Sequence, residues 1–212
     1  MVLITTGIVV ISSLSIPMLP VFGGQSNATI IYYENPFLGI NFQHPDSWQK
    51  VSPSSFEDNN CNIFGCIVVF KLNDNNKNID SFFSIRSYDH DSIKGECKCS
   101  NLIDFMTWKY ENLVDVPGFL FIDDEELIIP GNQSAGMMEY LSLSNNEGFN
   151  YNYDGSLQYF DKFYDIRFES PSKTFFKQHL PEIKNVIGSI EFLEINQEQN
   201  IDQPSFLMQG LK

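Results

Sequence analysis

Positive charge is scarce in this chain. No lysine or arginine precedes Lys50, and the sequence holds 13 such residues against 27 aspartates and glutamates, a formal net charge of −14. A surface of that sign repels phosphate, so nucleic acid and anionic membrane surfaces are excluded as partners. Also missing are a glycine-rich phosphate loop and a serine set in a nucleophile elbow. Histidine is rare, with 3 in the chain; His44 and His179 sit near prolines at expected element boundaries and read as packed or capping residues. Cysteine is limited to 4 residues, Cys61, Cys66, Cys97 and Cys99. With no catalytic constellation and no cofactor motif, the expectation is a protein that is not an enzyme and carries no cofactor.

What the chain does have is apolar and aromatic material: 42% hydrophobic and 14% aromatic over 212 residues, with 19 Phe and 9 Tyr. That length suits one domain with a sizeable core, and the aromatics favour strands packed under helices. Residues 1–22 carry no charged side chain and read as the apolar part of an export signal. Ser26 and Ala28 supply a small-x-small pattern, which places cleavage after Ala28. An uncleaved anchor is the alternative, and such a leader would be the only membrane contact; Pro17 and Pro20 interrupt the run. The cationic segment that normally opens such a leader is absent, so the start of translation is expected upstream. Export makes the body, residues 29–193, an extracytoplasmic, secreted or cell-surface domain. Sequons stand at Asn27 and Asn132, and Asn132, in the turn PGNQS, is the better glycosylation candidate. Residues 194–212 are polar and without pattern, which predicts a flexible tail.

Alternation and turn residues predict strands over 30–34, 39–44, 66–72, 81–88, 119–130 and 134–143. In FNYNYDGSLQYFDKFYDIRF the aromatics alternate up to Asp154-Gly155 and away from it, which predicts a hairpin turn there. Two segments follow the helical period. SNLIDFMTWKYENLV places Leu102, Phe105/Met106, Lys109/Tyr110 and Leu113 on one face, with Ser100 or Asn101 as N-cap. SKTFFKQHLPEIKNVIG places Phe175/Phe176, His179/Leu180, Ile183 and Val186/Ile187 on one face, and Pro181 should kink or divide it. A short strand over 189–192 closes the body. The fold class is α+β, an antiparallel sheet flanked by helices.

The opening YYENPFLGINFQHPDSW, with Tyr33, Gly39-Ile40-Asn41-Phe42 and Pro45-Asp46-Ser47-Trp48, resembles the entry motif of PsbP-like proteins. The segment LQYFDKFYDIRFESPSKTFFKQHLPEIKNVIGSIEF is similar to that family's last strand, final helix and closing strand. The resemblance covers roughly residues 30–193. It implies the PsbP/Mog1-type α/β/α sandwich and an extracytoplasmic accessory, assembly or binding role; the best-known member supports the oxygen-evolving complex of photosystem II. The matched positions build the fold, and no functional residue is carried over from the family. The function expected is a non-catalytic module working at the outer face of a membrane through a protein partner or a small ligand.

The strand pairing brings all four cysteines to one end of the sheet, and an even count behind an export signal favours disulfides. Cys97–Cys99 would close a tight ring, so cross-links between the pairs are expected: 61–99 with 66–97, or 61–97 with 66–99, a local 61–66 bridge remaining open. The alternative is a zinc or copper(I) site on Cys61, Cys66, Cys97 and Cys99, with Asp89, His90 and Asp91 beside it. Its C-x4-C and C-x-C spacings depart from the usual knuckle, and a solvated loop is preferred for SYDHDS. The acids 123–126 read as a solvated tight turn in preference to a calcium site, and Trp48 and Trp108 as core residues.

Overall fold

The computed structural model describes residues 29–52, 61–62, 65–74, 79–93, 95–131, 133–144 and 148–193. The expected leader, with Asn27, the glycosylation candidate Asn132 and the tail all lie outside these residues. Strands β1 (Ile30–Asn35) and β2 (Ile40–Pro45) form a hairpin. Its turn is set by Asn35, whose Oδ1 accepts from the amides of Phe37 and Leu38, each at 3.0 Å. Gly39 completes the turn at φ 73°, a conformation that favours glycine. After β3 (Gln49–Val51) and the two-residue β4 (Cys61–Asn62), the long strands β5 (Gly65–Asp74) and β6 (Ile79–Asp89) pair antiparallel.

One helical turn, α1 (His90–Ile93), then leads to α2 (Leu102–Val114). Asn101 caps α2, its side chain accepting from the Asp104 amide at 3.0 Å. A meander follows: β7 (Leu120–Ile129), β8 (Gln133–Leu143), β9 (Phe149–Tyr159) and β10 (Lys162–Ser170). Helix α3 (Lys173–Gly188) starts at the Ser172 cap and runs undivided through Pro181. The last strand, β11 (Glu191–Phe192), pairs with β2.

All pairings among the described residues are antiparallel. The large sheet has the order β3-β5-β6-β10-β9-β8-β7, with β4 on β5, and the small one the order β1-β2-β11. Because side chains alternate across a strand, the large sheet has two unlike faces. One face is apolar. It carries Val68, Phe70, Phe83, Ile85, Ile166 and Phe168, and it packs against Phe175, Phe176, Ile183, Val186 and Ile187 of α3 and Ile40 and Phe42 of the small sheet. Trp48 belongs to this core, its Nε1 donating to Glu182 at 3.1 Å. Each fully buried Phe or Ile contributes about 1.5–3 kcal/mol, so this face holds most of the stabilising burial. The opposite face has a much smaller apolar cluster of Ile93, Cys97, Cys99, Phe105 and Phe163 under α2.

The hairpin expected at Asp154-Gly155 does not exist. Strand β9 passes straight through both residues, and the turn falls at Phe160-Asp161, where Phe160 takes φ 52° and Lys162 pairs with Tyr159. Gly155 is needed for close packing instead: a Cβ there would meet Met137 Sδ at 2.0 Å and the Gly136 carbonyl at 2.8 Å. Gly155→Ala should therefore lower stability by about 1–3 kcal/mol. Gly148→Ala, where a Cβ meets nothing within 4 Å, should change it far less in the same denaturant titration.

His44 is packed, as expected, with its ring 4.5 Å from Phe70 and its Nδ1 2.7 Å from the Pro45 carbonyl oxygen. Burial pushes its pKa below the ordinary 6.5, against the opposing pull of the Pro45 carbonyl and Asp46. The unfolded chain binds the proton more readily, so the stability His44 contributes is complete above pH 6.5 and is lost as pH falls below it. Unfolding free energy measured between pH 7 and pH 5 (~1.4 kcal/mol per pH unit at most for one proton) should decline, and His44→Asn should flatten that slope.

Candidate functional site

The α2-facing side of the large sheet is polar at its centre. Strand register sets Arg86 beside Asp165 and Ser156, and Ser84 beside Arg167 and Asp154. Lys109 of α2 reaches down into this pattern. Its ammonium is ion-paired with both Asp154 and Asp165, and it donates to the Gly155 carbonyl at 3.0 Å and Ser156 Oγ at 3.4 Å. Asp154 is buried. Its Oδ2 accepts from Arg167 Nε at 2.9 Å and from the Tyr140 hydroxyl at 3.2 Å. Two cations and two anions close a neutral quartet drawn from α2, β9 and β10, which is how charge can be tolerated away from water.

The electrostatics follow from that closure. Burial alone would push the Lys109 ammonium down, but Asp154 and Asp165 together hold it above its ordinary value. Burial would raise Asp165, yet Lys109 and Arg167 bring it to about 2. Asp154 goes the other way, raised by burial against the pull of the two cations. Arg167 is raised chiefly by Asp154, and the Tyr140 hydroxyl is raised by burial and by Asp154. Lys109 and Asp165 therefore keep their charges at neutral pH.

Open space flanks the quartet on both sides of α2. On the β7 side lies a groove of about 460 Å³ with apolar walls from Ile103, Met106, Tyr110, Phe121 and Met138, and with Asp124 beside them. Met106 can lie across the sheet here because Gly136 has no side chain; a Cβ would stand 2.6 Å from Met106 Cε. On the β6 side lies a polar cleft of about 350 Å³ that includes Arg86, Arg167, Glu169, Asn152 and Trp108. Lys109 borders both. Met106 and Tyr110 are exposed groove residues; among the face residues named from the sequence, Phe105 and Leu113 are the buried ones.

No protein-family model matches the chain, and no curated protein matches it. Among solved structures it is similar to the cyanobacterial PsbP of Synechocystis sp. PCC 6803, with 16% identity and a TM-score of 0.52 over 80% of this chain and 96% of that one. The fold is PsbP-like. Two further structures resemble it at a TM-score of 0.49, too distant to carry weight: the Pseudomonas aeruginosa protein of unknown function PA94, at 16% identity over 75% of this chain and 94% of that one, and the Saccharomyces cerevisiae Ran-binding protein Mog1p, at 8% over 78% and 96%. The likeness read from the two ends of the body is thus borne out as fold.

Within this PsbP-like frame the cysteines do not form one group. Cys66 follows the apolar face of β5 and packs against the main core, whereas Cys97 and Cys99 lie in the α2-side cluster. The sheet therefore separates Cys66 from Cys97 and Cys99, with one of which a cross-link was expected. Cys97 is bonded to Cys99; Cys66 is in a disulfide, and its register partner across β4–β5 is Cys61, whose side chain lies outside the described residues.

Asp89 ends β6 beside Lys162 at 3.7 Å, and His90 and Asp91 begin α1 with 3.8 Å between them, so SYDHDS is not the loop expected. Among the described residues no three histidine, cysteine, aspartate or glutamate side chains converge as a metal cage would require. The acids 123–126 are strand β7 and not a turn, and Trp108 is half-buried, packed against the small α2-side cluster and lining the polar cleft. The quartet itself was missed, although two signals pointed to it: a lysine on the apolar face of α2, and polar residues alternating in both β9 and β10.

Lys109→Met leaves two buried carboxylates facing one guanidinium and should lower stability by about 3–5 kcal/mol. Adding Asp165→Asn restores neutrality, so the double variant should lose less than the sum of the single losses in denaturant titrations. Additive losses would contradict a coupled quartet.

Proposed function

We propose that this chain is an exported, non-catalytic binding module that acts at the outer face of a membrane and holds a protein partner in the groove between α2 and β7. The observation that carries the reading is the groove itself, about 460 Å³ with apolar walls and acidic residues alongside. A monomer gains nothing from leaving Ile103, Met106, Tyr110 and Phe121 exposed around one concavity, whereas a binding surface needs such residues. The chemistry of the groove also favours binding over turnover. Its central ion, Lys109, is committed to Asp154 and Asp165 and held protonated, so it is not a base near neutrality. The PsbP-like fold supports an accessory or binding role by analogy only. Export is supported by the uncharged residues 1–22, and disulfides fit that setting.

Affinity capture from native surface extracts tests the reading directly. The natural chain should retain a partner that Met106→Arg, with its charge in the groove, releases without loss of thermal stability. Equal retention by both proteins, or by neither, would contradict the groove as the binding site. Intact mass of the exported protein should correspond to residues 29–212 and show no uptake of an alkylating reagent before reduction. A mass that still includes residues 1–28 would overturn cleavage, and alkylation without reduction would overturn the disulfides.

A further inference from the structure

Strand β7 is the last strand of the large sheet, and among the described residues it pairs with β8 alone. Its outer edge thus offers a row of backbone donors and acceptors over the stretch Leu120–Ile129. Edges of this length are usually protected, and the acids Asp123, Asp124, Glu125 and Glu126 would serve that purpose if they stood alone. They do not. Leu120, Phe121 and Ile122 precede them and Ile128 follows, all exposed, with Ile128 at 69%. A protected edge has no use for four large exposed apolar side chains flanking its charges, three before them and one after.

Register decides where each side chain points. Phe121, Asp124 and Glu126 stand opposite Tyr140, Met138 and Gly136, on the α2 side, and Phe121 and Asp124 line the groove. Glu125 stands opposite Met137 on the other side, where Tyr153 donates to it at 2.9 Å and Lys184 pairs with it at 2.5 Å. Among the described residues no cation pairs with Asp123, Asp124 or Glu126; Asp123 Oδ1 accepts only from the Asp124 amide, at 3.0 Å. A strand added about 4.8 Å beyond β7 would bring every second side chain over the groove.

We infer that β7 and the α2 groove together bind an extended segment of a partner protein, alternating basic and apolar residues, by strand addition. The inference rests on the proposed binding role and names the partner's chemistry. Backbone hydrogen bonds along β7 hold the segment. Its lysine or arginine side chains, all on the α2 side, lay their aliphatic stems along Met106, Tyr110 and Phe121 and bring their charges to Asp124 and Glu126. The alternate apolar residues face the other side of the sheet. A second copy of this chain is a poor occupant. Its own β7 would set acid against acid across the new ladder, between molecules that each carry a net charge of −14.

The test uses the full chain and a short end-blocked peptide alternating lysine or arginine with valine, followed by fluorescence anisotropy and amide hydrogen exchange. The peptide should bind, more weakly as salt rises, and should slow exchange in β7 while leaving β3 at the opposite end of the sheet unchanged. Asp124→Lys with Glu126→Lys should weaken it about tenfold or more at an unchanged melting temperature. A peptide with glutamate in place of the basic residues should not bind, and one with proline at alternate positions should lose the β7 protection. Equal binding by the charge-reversed variant, protection elsewhere than β7, or no binding would overturn the inference. So would dimerisation through β7 in sedimentation. If the peptide fails while Met106→Arg still releases a captured partner, the binding role stands and only the strand-addition inference falls.

Discussion

Asp154 is the charge around which one whole face of this protein is arranged. A carboxylate with almost no exposure must be matched by cations and hydrogen bonds, or its burial costs several kcal/mol. Here the match comes from Arg167 on one neighbouring strand, Tyr140 on the other, and Lys109 from the helix above. Lys109 would be equally unfavourable without Asp154 and Asp165, so each member makes the others tolerable. The helix is thereby fixed over the sheet at a point where no apolar core exists to hold it. Phe105, stacked 4.8 Å from Phe163, anchors one end, and the quartet anchors the middle.

The two faces of the sheet consequently do different work. The α3 face is filled by interlocking aromatic and aliphatic side chains, which fixes the architecture. On the α2 face, a helix held by a few ionic contacts stands clear of the sheet, and space remains on either side of it. The groove toward β7 is a by-product of that arrangement: Lys109 closes its floor, Gly136 lets Met106 in, and the last strand of the sheet forms its open wall. A stable scaffold on one face and an adaptable, partly apolar concavity on the other is the division of labour that a binding module requires.

Much of the scaffold could be read from the residues alone. In β5, β6 and β8 the alternation is regular, because one face is buried under α3, and the strand positions follow directly. The cap at Asn101 likewise announced the first long helix, and the apolar period of 175–187 the second. Asp154-Gly155 misled for a physical reason. Locally the pair favours a turn, but the burial of the carboxylate by three partners from other elements outweighs that preference, and the glycine serves the close approach of Met137. The acids 123–126, read as a tight turn within the strand expected over 119–130, instead continue that strand, held by pairing with β8. Cross-links were expected between the cysteine pairs, but the opposite faces taken by Cys66 and by Cys97 and Cys99 depend on a parity that spacing does not reveal. The quartet spans residues 109–167 and needed the sheet order to assemble it, although Lys109 on an apolar helical face and the polar alternation of β9 and β10 were its visible halves.

Amide hydrogen exchange on the natural chain and on Lys109→Met tests most directly whether an ionic quartet seats α2 and so shapes the groove. Loss of the lysine should speed exchange across residues 106–114 of α2, by about tenfold or more for each 1.4 kcal/mol of local stability removed, while α3 and β5 keep their protection below the global unfolding limit. Uniform acceleration throughout the molecule would mean that Lys109 supports the whole fold and not the helix. Unchanged protection in α2 would mean that Phe105 and Leu113 hold the helix unaided, and would contradict an ionic seat.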